Sequence, residues 1–263
     1  MPETHPTTRQ VVVVVSAVIA VVGSVIGSGF AGGTPIQNAA GGALSASATP
    51  IAPAGGAFSI WSIIYLGLVA YAVWQALPAH RTDPREQRLG YWVSASLVLN
   101  AAWILSIQFD ALALSLPLII LLLAVLIRCF LICVATRPAN WREAVVVDGT
   151  VGLYLGWVCV ATAANAAAVL HASGLRGGPI DGAVWAVAII AVAAIIGILL
   201  AIRGRGRISP AVSLGWGLAW IGIGRLAGAP HLPEVGIVAL VAAAAVVVFT
   251  IALRVRASRE VHE

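Results

Sequence analysis

The sequence has no lysine, and charge of any kind is scarce: Asp, Glu and Arg make up 10% of its 263 residues. A water-soluble domain carries about 25%. A chain this poor in charge cannot cover a surface that faces water, which excludes a soluble globular protein. Cysteine is scarce too. Cys129, Cys133 and Cys159 all lie in apolar runs and match no metal or redox spacing, so they read as small packing residues. There is no Walker loop, no zinc-binding His-Glu-x-x-His and no Gly-x-Ser-x-Gly. The five histidines, His5, His80, His171, His231 and His262, fall in loops or tails. A metal or haem shared by His171 and His231 is weighed against solvated loop histidines, and the latter reading is preferred. No catalytic residue, metal site or required cofactor is expected.

What the chain does have is long apolar runs. Hydrophobic residues make up 60% of it, with a mean hydropathy of +1.00. About 20 such residues cross the hydrocarbon core as a helix. The runs are continuous rather than short and alternating, which excludes a transmembrane β-barrel. The expectation is an all-α integral membrane protein with about eight transmembrane helices, at 11–30, 58–78, 90–108, 111–135, 144–170, 182–202, 208–227 and 235–254. The seventh is rich in glycine, at Gly215, Gly217, Gly222 and Gly224.

Arginine placement tests that count. If the helices alternate in direction, thirteen of the fifteen arginines fall on one side, and only Arg176 and Arg225 on the other. The positive-inside rule then puts both termini in the cytoplasm of a multi-pass plasma-membrane protein. The pI near 9.7 is accordingly no sign of nucleic acid, since these arginines suit anionic lipid at the bilayer surface. Gly29-Phe30-Ala31 would suit a signal peptidase, but the long apolar run favours a retained first helix. Asp148 and Arg128 lie at similar depths and are expected to form a structural ion pair. Gly23-x-x-x-Gly27 permits close helix contact, either within the bundle or across a homodimer.

The first connection, 31–57, carries no charge and contains Pro35, Pro50 and Pro53. Long loops without structure of their own are usually functional lids or disordered linkers. Residues in the neighbouring helices favour a lid. Tyr154, Trp157, Ala161 and Asn165 recur at helical spacing and form one stripe; Asn100 and Trp103 share a face of helix three, and Trp61 and Tyr65 a face of helix two. By depth, all can meet in the outer half of the bundle beneath the loop. Tyr and Trp supply broad apolar faces with one polar handle each, which suits a flat, mostly apolar ligand. Two readings of the asparagines stand at this point: they orient a ligand, or they clasp helices together.

These residues resemble the TspO/peripheral benzodiazepine receptor family, the tryptophan-rich sensory proteins. The fifth-helix pattern is Tyr154-x-x-Trp157-x-x-x-Ala161-Thr162-x-x-Asn165. The third-helix pattern is Leu97-x-Leu99-Asn100-x-x-Trp103, and Pro53 and Phe58 lead into Trp61-x-x-x-Tyr65. The resemblance spans roughly residues 10–172. Gly67 stands two residues earlier than the family's usual glycine, and Leu153 replaces a proline. It implies a TspO-like five-helix unit at 1–173, often dimeric; the three helices that follow at 174–263 are an extension that the five-helix family lacks.

It further implies a receptor or sensor that binds a hydrophobic planar molecule, a porphyrin or other tetrapyrrole such as haem, in an intramembrane pocket. Trp61, Tyr65, Asn100, Trp103, Tyr154, Trp157, Ala161 and Asn165 would line that pocket, with Pro53 and Phe58 in the lid. Tetrapyrrole breakdown, the one enzymatic role considered, would fall to Trp61, Trp103 and Trp157. The rival is a secondary transporter of a small hydrophobic or amphipathic solute, with the glycine-rich seventh helix broken at the midplane. A purely structural membrane partner would bind no small molecule.

Overall fold

A computed structural model describes residues 6–27, 29, 32–175 and 178–259. Arg176, the cleavage candidates Phe30 and Ala31, and the tail histidines His5 and His262 lie outside the described residues. Among the described residues, eight long helices carry the fold: α1 (Pro6–Gly27), α2 (Ile60–Ala76), α3 (Pro84–Gln108), α4 (Leu112–Ala135), α5 (Thr150–Ala172), α6 (Gly182–Arg203), α7 (Ile208–Ala227) and α8 (Pro233–Arg259). No strand occurs among the described residues. The protein is a multi-pass membrane protein of the all-α class.

Among the described residues, seven helical stretches are long and apolar enough to cross a membrane, and α7 is not one of them. Eleven of its 20 residues are buried, so its glycines and serines face protein rather than lipid. Helices α3 and α8 overrun their apolar limits, since the polar residues 85–88 at the start of α3 and the arginine-rich residues 254–259 at the end of α8 are still helical.

The chain forms two compact units, one of residues 1–35 with 61–151 and one of residues 36–60 with 152–263. This partition does not follow the 173/174 boundary read from the sequence, since it passes through the start of α5 and assigns most of the first loop to the second unit.

In the first unit, α1 packs on α3 where both surfaces are small. A Cβ on Gly23 would lie 3.3 Å from the Cβ of Ala101, so this glycine serves a contact inside the chain. Helix α3 starts at Asp83, whose carboxylate caps the Arg85 N–H at 2.8 Å, with Pro84 in the first turn. Gly67 of α2 admits Thr150, whose Oγ1 would stand 2.5 Å from a Cβ there.

Ahead of α5, one helical turn (Trp141–Glu143) runs into a π-helical stretch, Ala144–Gly149. In α-helical register, residues five apart fall on different faces; the i→i+5 register returns Asp148 above Glu143. Both carboxylates then grip Arg85, which donates from Nη1 to Glu143 Oε1 at 2.5 Å and from Nη2 to Asp148 Oδ1. The Arg85 Nε donates to Thr136 Oγ1 at 2.9 Å. The Asp148–Arg128 pairing expected from depth is therefore wrong. Depth fixes height along the membrane normal, and the π turn changes the direction in which Asp148 points. Arg128 instead lies over the Trp92 ring at 5.9 Å.

In the second unit, glycines bring helices into near backbone contact. A Cβ on Gly156 of α5 would stand 2.1 Å from the carbonyl oxygen of Pro210 in α7. One on Gly222 of α7 would meet Leu240 of α8 at 2.7 Å. Helix α7 is continuous, so its glycines make a packing surface rather than a break. Ile190, Leu214, Leu218, Ala239 and Val246 centre the core of this unit.

Candidate functional site

The sequence-selected residues divide between the two units. In the first, Asn100 is completely buried, and its Nδ2 donates to the Tyr65 hydroxyl at 2.6 Å. Trp61 lies one turn before Tyr65, with ring centroids 5.5 Å apart. Trp103, one turn along α3 from Asn100, is buried. The Oδ1 of Asn100 is buried without a hydrogen-bond partner. An orphaned acceptor of this kind is uncommon and costs about 1–3 kcal/mol if nothing satisfies it.

In the second unit, Tyr154, Trp157 and Asn165 are buried along α5, and Ala161 is half-buried between them. Phe58 meets Trp157 edge to face, with centroids 5.9 Å apart and planes at 76°. Pro53 is buried within the loop. A void among Ile51, Val160, Ala164, Ile190 and Leu218 measures about 10 Å³. That is marginal for one water and offers no polar partner. A ligand reaching the Trp157 ring at this edge has to displace Phe58.

Sequence reasoning missed the residues that hold the loop. Trp216 Nε1 of α7 donates to the Ala57 carbonyl at 3.0 Å, and the Ala54 N–H donates to the Trp220 carbonyl at 3.1 Å. Gly56 sits against the Trp220 ring so closely that a Cβ would stand 2.3 Å from it. Arg225 is completely buried, donating from Nη1 to the Thr49 carbonyl at 3.0 Å and from Nη2 to the carbonyls of Ala46 and of Ala229, the latter at 3.2 Å. The one available signal was Arg225 itself, an arginine inside an apolar run on the arginine-poor side. In the sequence it stands out only as an exception to the arginine bias.

A cleft of about 470 Å³ also opens between α1 and α2 in the first unit. Val18, Val22, Val69 and Val73 are among the apolar side chains that line it, and they give a ligand no polar group for orientation.

Among known proteins, the family model described as TSPO-like protein matches residues 12–252. The match runs past residue 172, where the resemblance read from motifs stopped, so α6, α7 and α8 fall inside the family rather than outside it. No curated protein and no solved structure matches the chain.

Proposed function

The chain belongs to the TSPO-like protein family, and we propose that this member is a receptor or sensor for a hydrophobic, planar small molecule of the porphyrin or tetrapyrrole class. The observation that carries the reading is the orphaned Oδ1 of fully buried Asn100. It sits on a side chain hydrogen-bonded to Tyr65, in a group with Trp61 and Trp103. A pyrrole N–H supplies the missing donor, and indole and phenol faces stack on a flat macrocycle. Within the second unit, Tyr154, Trp157, Ala161 and Asn165 offer an aromatic and amide surface of their own along α5, with Phe58 covering the Trp157 ring at one edge. The arginine bias supports a plasma-membrane protein with both termini cytoplasmic.

The test is titration of the full chain in nanodiscs with protoporphyrin IX, following tryptophan fluorescence. Saturable quenching is expected in wild type. Asn100→Leu and Trp157→Leu, with helicity checked by circular dichroism, should weaken it at least tenfold. Failure of wild type to saturate overturns the reading.

A second reading, secondary transport, has its own support. Arg9, Arg85, Glu86, Glu143 and Asp148 are buried in the first unit at or just beyond the ends of the apolar spans, and such a cluster of buried ionisable groups is compatible with proton-coupled transport. Solute accumulation in proteoliposomes, driven by a proton gradient, would favour transport over sensing.

A further inference from the structure

We propose that α7 is a clamp on the first loop and that Arg225 is its positioning residue, whose release opens the way for a planar ligand to the Phe58–Trp157 edge. This assigns a role to the C-terminal helices and rests on the binding reading above.

Three observations carry it. First, α7 grips the second half of the loop: Arg225 donates to the Ala46 and Thr49 carbonyls, the Trp220 carbonyl accepts from the Ala54 N–H, and Trp216 donates to the Ala57 carbonyl. The next residue after Ala57 is Phe58, whose ring lies against Trp157. The grip therefore sets the position of that ring. Second, the loop lies close against α7: a Cβ at Gly224 would lie 3.4 Å from Ala54, and one at Gly56 would lie 2.3 Å from the Trp220 ring.

Third, the grip at Arg225 is built to release. Among the described residues no carboxylate lies within ion-pair distance of it, and its Nε is buried with no hydrogen-bond partner. Residues 36–60 contain no acid that could neutralise it. A buried guanidinium held only by carbonyl dipoles remains incompletely compensated. Closing the loop buries that charge and opening it returns the charge to water, so desolvation of Arg225 opposes the hydrogen bonds that hold the loop shut. The position at the C-terminal end of α7 suits the cation in both states, because the helix dipole favours it there. Arginine also has five donors in a planar fork, which one lysine ammonium cannot reproduce across three carbonyls.

The test separates the clamp from the ligand. Ala52→Cys puts a thiol at a buried loop position, and Ser47→Cys puts one at an exposed loop position as a control. The full chain in nanodiscs is treated with a maleimide, in wild-type, Arg225→Lys and Arg225→Gln backgrounds, and the same background without the introduced cysteine, treated alike, gives the labelling of Cys129, Cys133 and Cys159 to subtract. Arg225→Gln is expected to raise the Ala52→Cys rate at least tenfold, Arg225→Lys to raise it less, and the Ser47→Cys rate to stay within twofold. Should Arg225→Gln fail to fold, Trp216→Phe keeps the ring, removes the donor to Ala57 and should also raise the rate. Stopped-flow quenching by protoporphyrin IX should then show faster association in the released variants.

Equal Ala52→Cys rates across all backgrounds overturn the clamp. Faster labelling with unchanged porphyrin association overturns the gating role. Faster labelling without porphyrin quenching in any background overturns the binding reading and leaves the clamp standing.

Discussion

Arg85 and Arg225 are both buried arginines, one in each compact unit, and their partners differ in kind. Arg85 faces two carboxylates and a threonine hydroxyl. Arg225 faces three backbone carbonyls and no acid within ion-pair distance among the described residues. A paired charge inside a protein is costly to separate, because either partner alone is stranded in a poor solvent. A charge held by carbonyls strands nothing charged when it leaves. The first arrangement suits a permanent staple at the basic end of α3 and the π stretch. The second suits a joint that opens.

The sharpest test of that contrast is removal of each cation. Arg85→Met leaves Glu143 and Asp148 buried without their partner and should cost about 3–5 kcal/mol of stability, read by unfolding in mixed detergents. Arg225→Met should cost less, about 1–3 kcal/mol, as it removes hydrogen bonds alone. Equal losses would break the distinction between staple and joint. A combined Arg85→Met, Glu143→Gln, Asp148→Asn chain should be more stable than Arg85→Met alone, because no unpaired charge remains.

Packing comes next in size. Gly156→Ala forces a Cβ onto the Pro210 carbonyl and should cost about 1–3 kcal/mol, with a lowered melting temperature. Tyr65→Phe strips the Asn100 amide of its acceptor and should cost about 1–2 kcal/mol, and should weaken porphyrin quenching as well. A stability loss there without a change in quenching would make Asn100 a helix clasp. Smallest of all, Arg128→Gln removes a cation over the Trp92 ring and should cost about 0.5–1 kcal/mol.

The pattern of these contacts shows which features a sequence displays. Apolar runs and arginine bias are local sums, and they located the helices, including α7 despite its glycines. The fifth-helix stripe from Tyr154 to Asn165 was legible because helical spacing turns sequence distance into angle. The partner of Asp148 was not, because the π turn between Glu143 and Gly149 rotates it away from the direction that α-helical counting predicts. The attachment of the loop to α7 was equally hidden. Residues 46–57 carry no charge and no repeated pattern, and their partners lie more than 150 positions away. Backbone carbonyls, moreover, are the same at every residue and leave no mark in composition.

By itself, then, the sequence determined that this chain spans a membrane with α-helices, which end is rich in arginine, and which aromatic and amide residues share a helix face. Those follow from hydropathy, charge count and a fixed rotation per residue. Tertiary structure alone decided that Arg85 holds two acids, that the glycines of α7 are contact surfaces, and that Arg225 grips the loop. Each of these depends on the rotational phase of one element against another, and that phase is set by close packing across the folded chain.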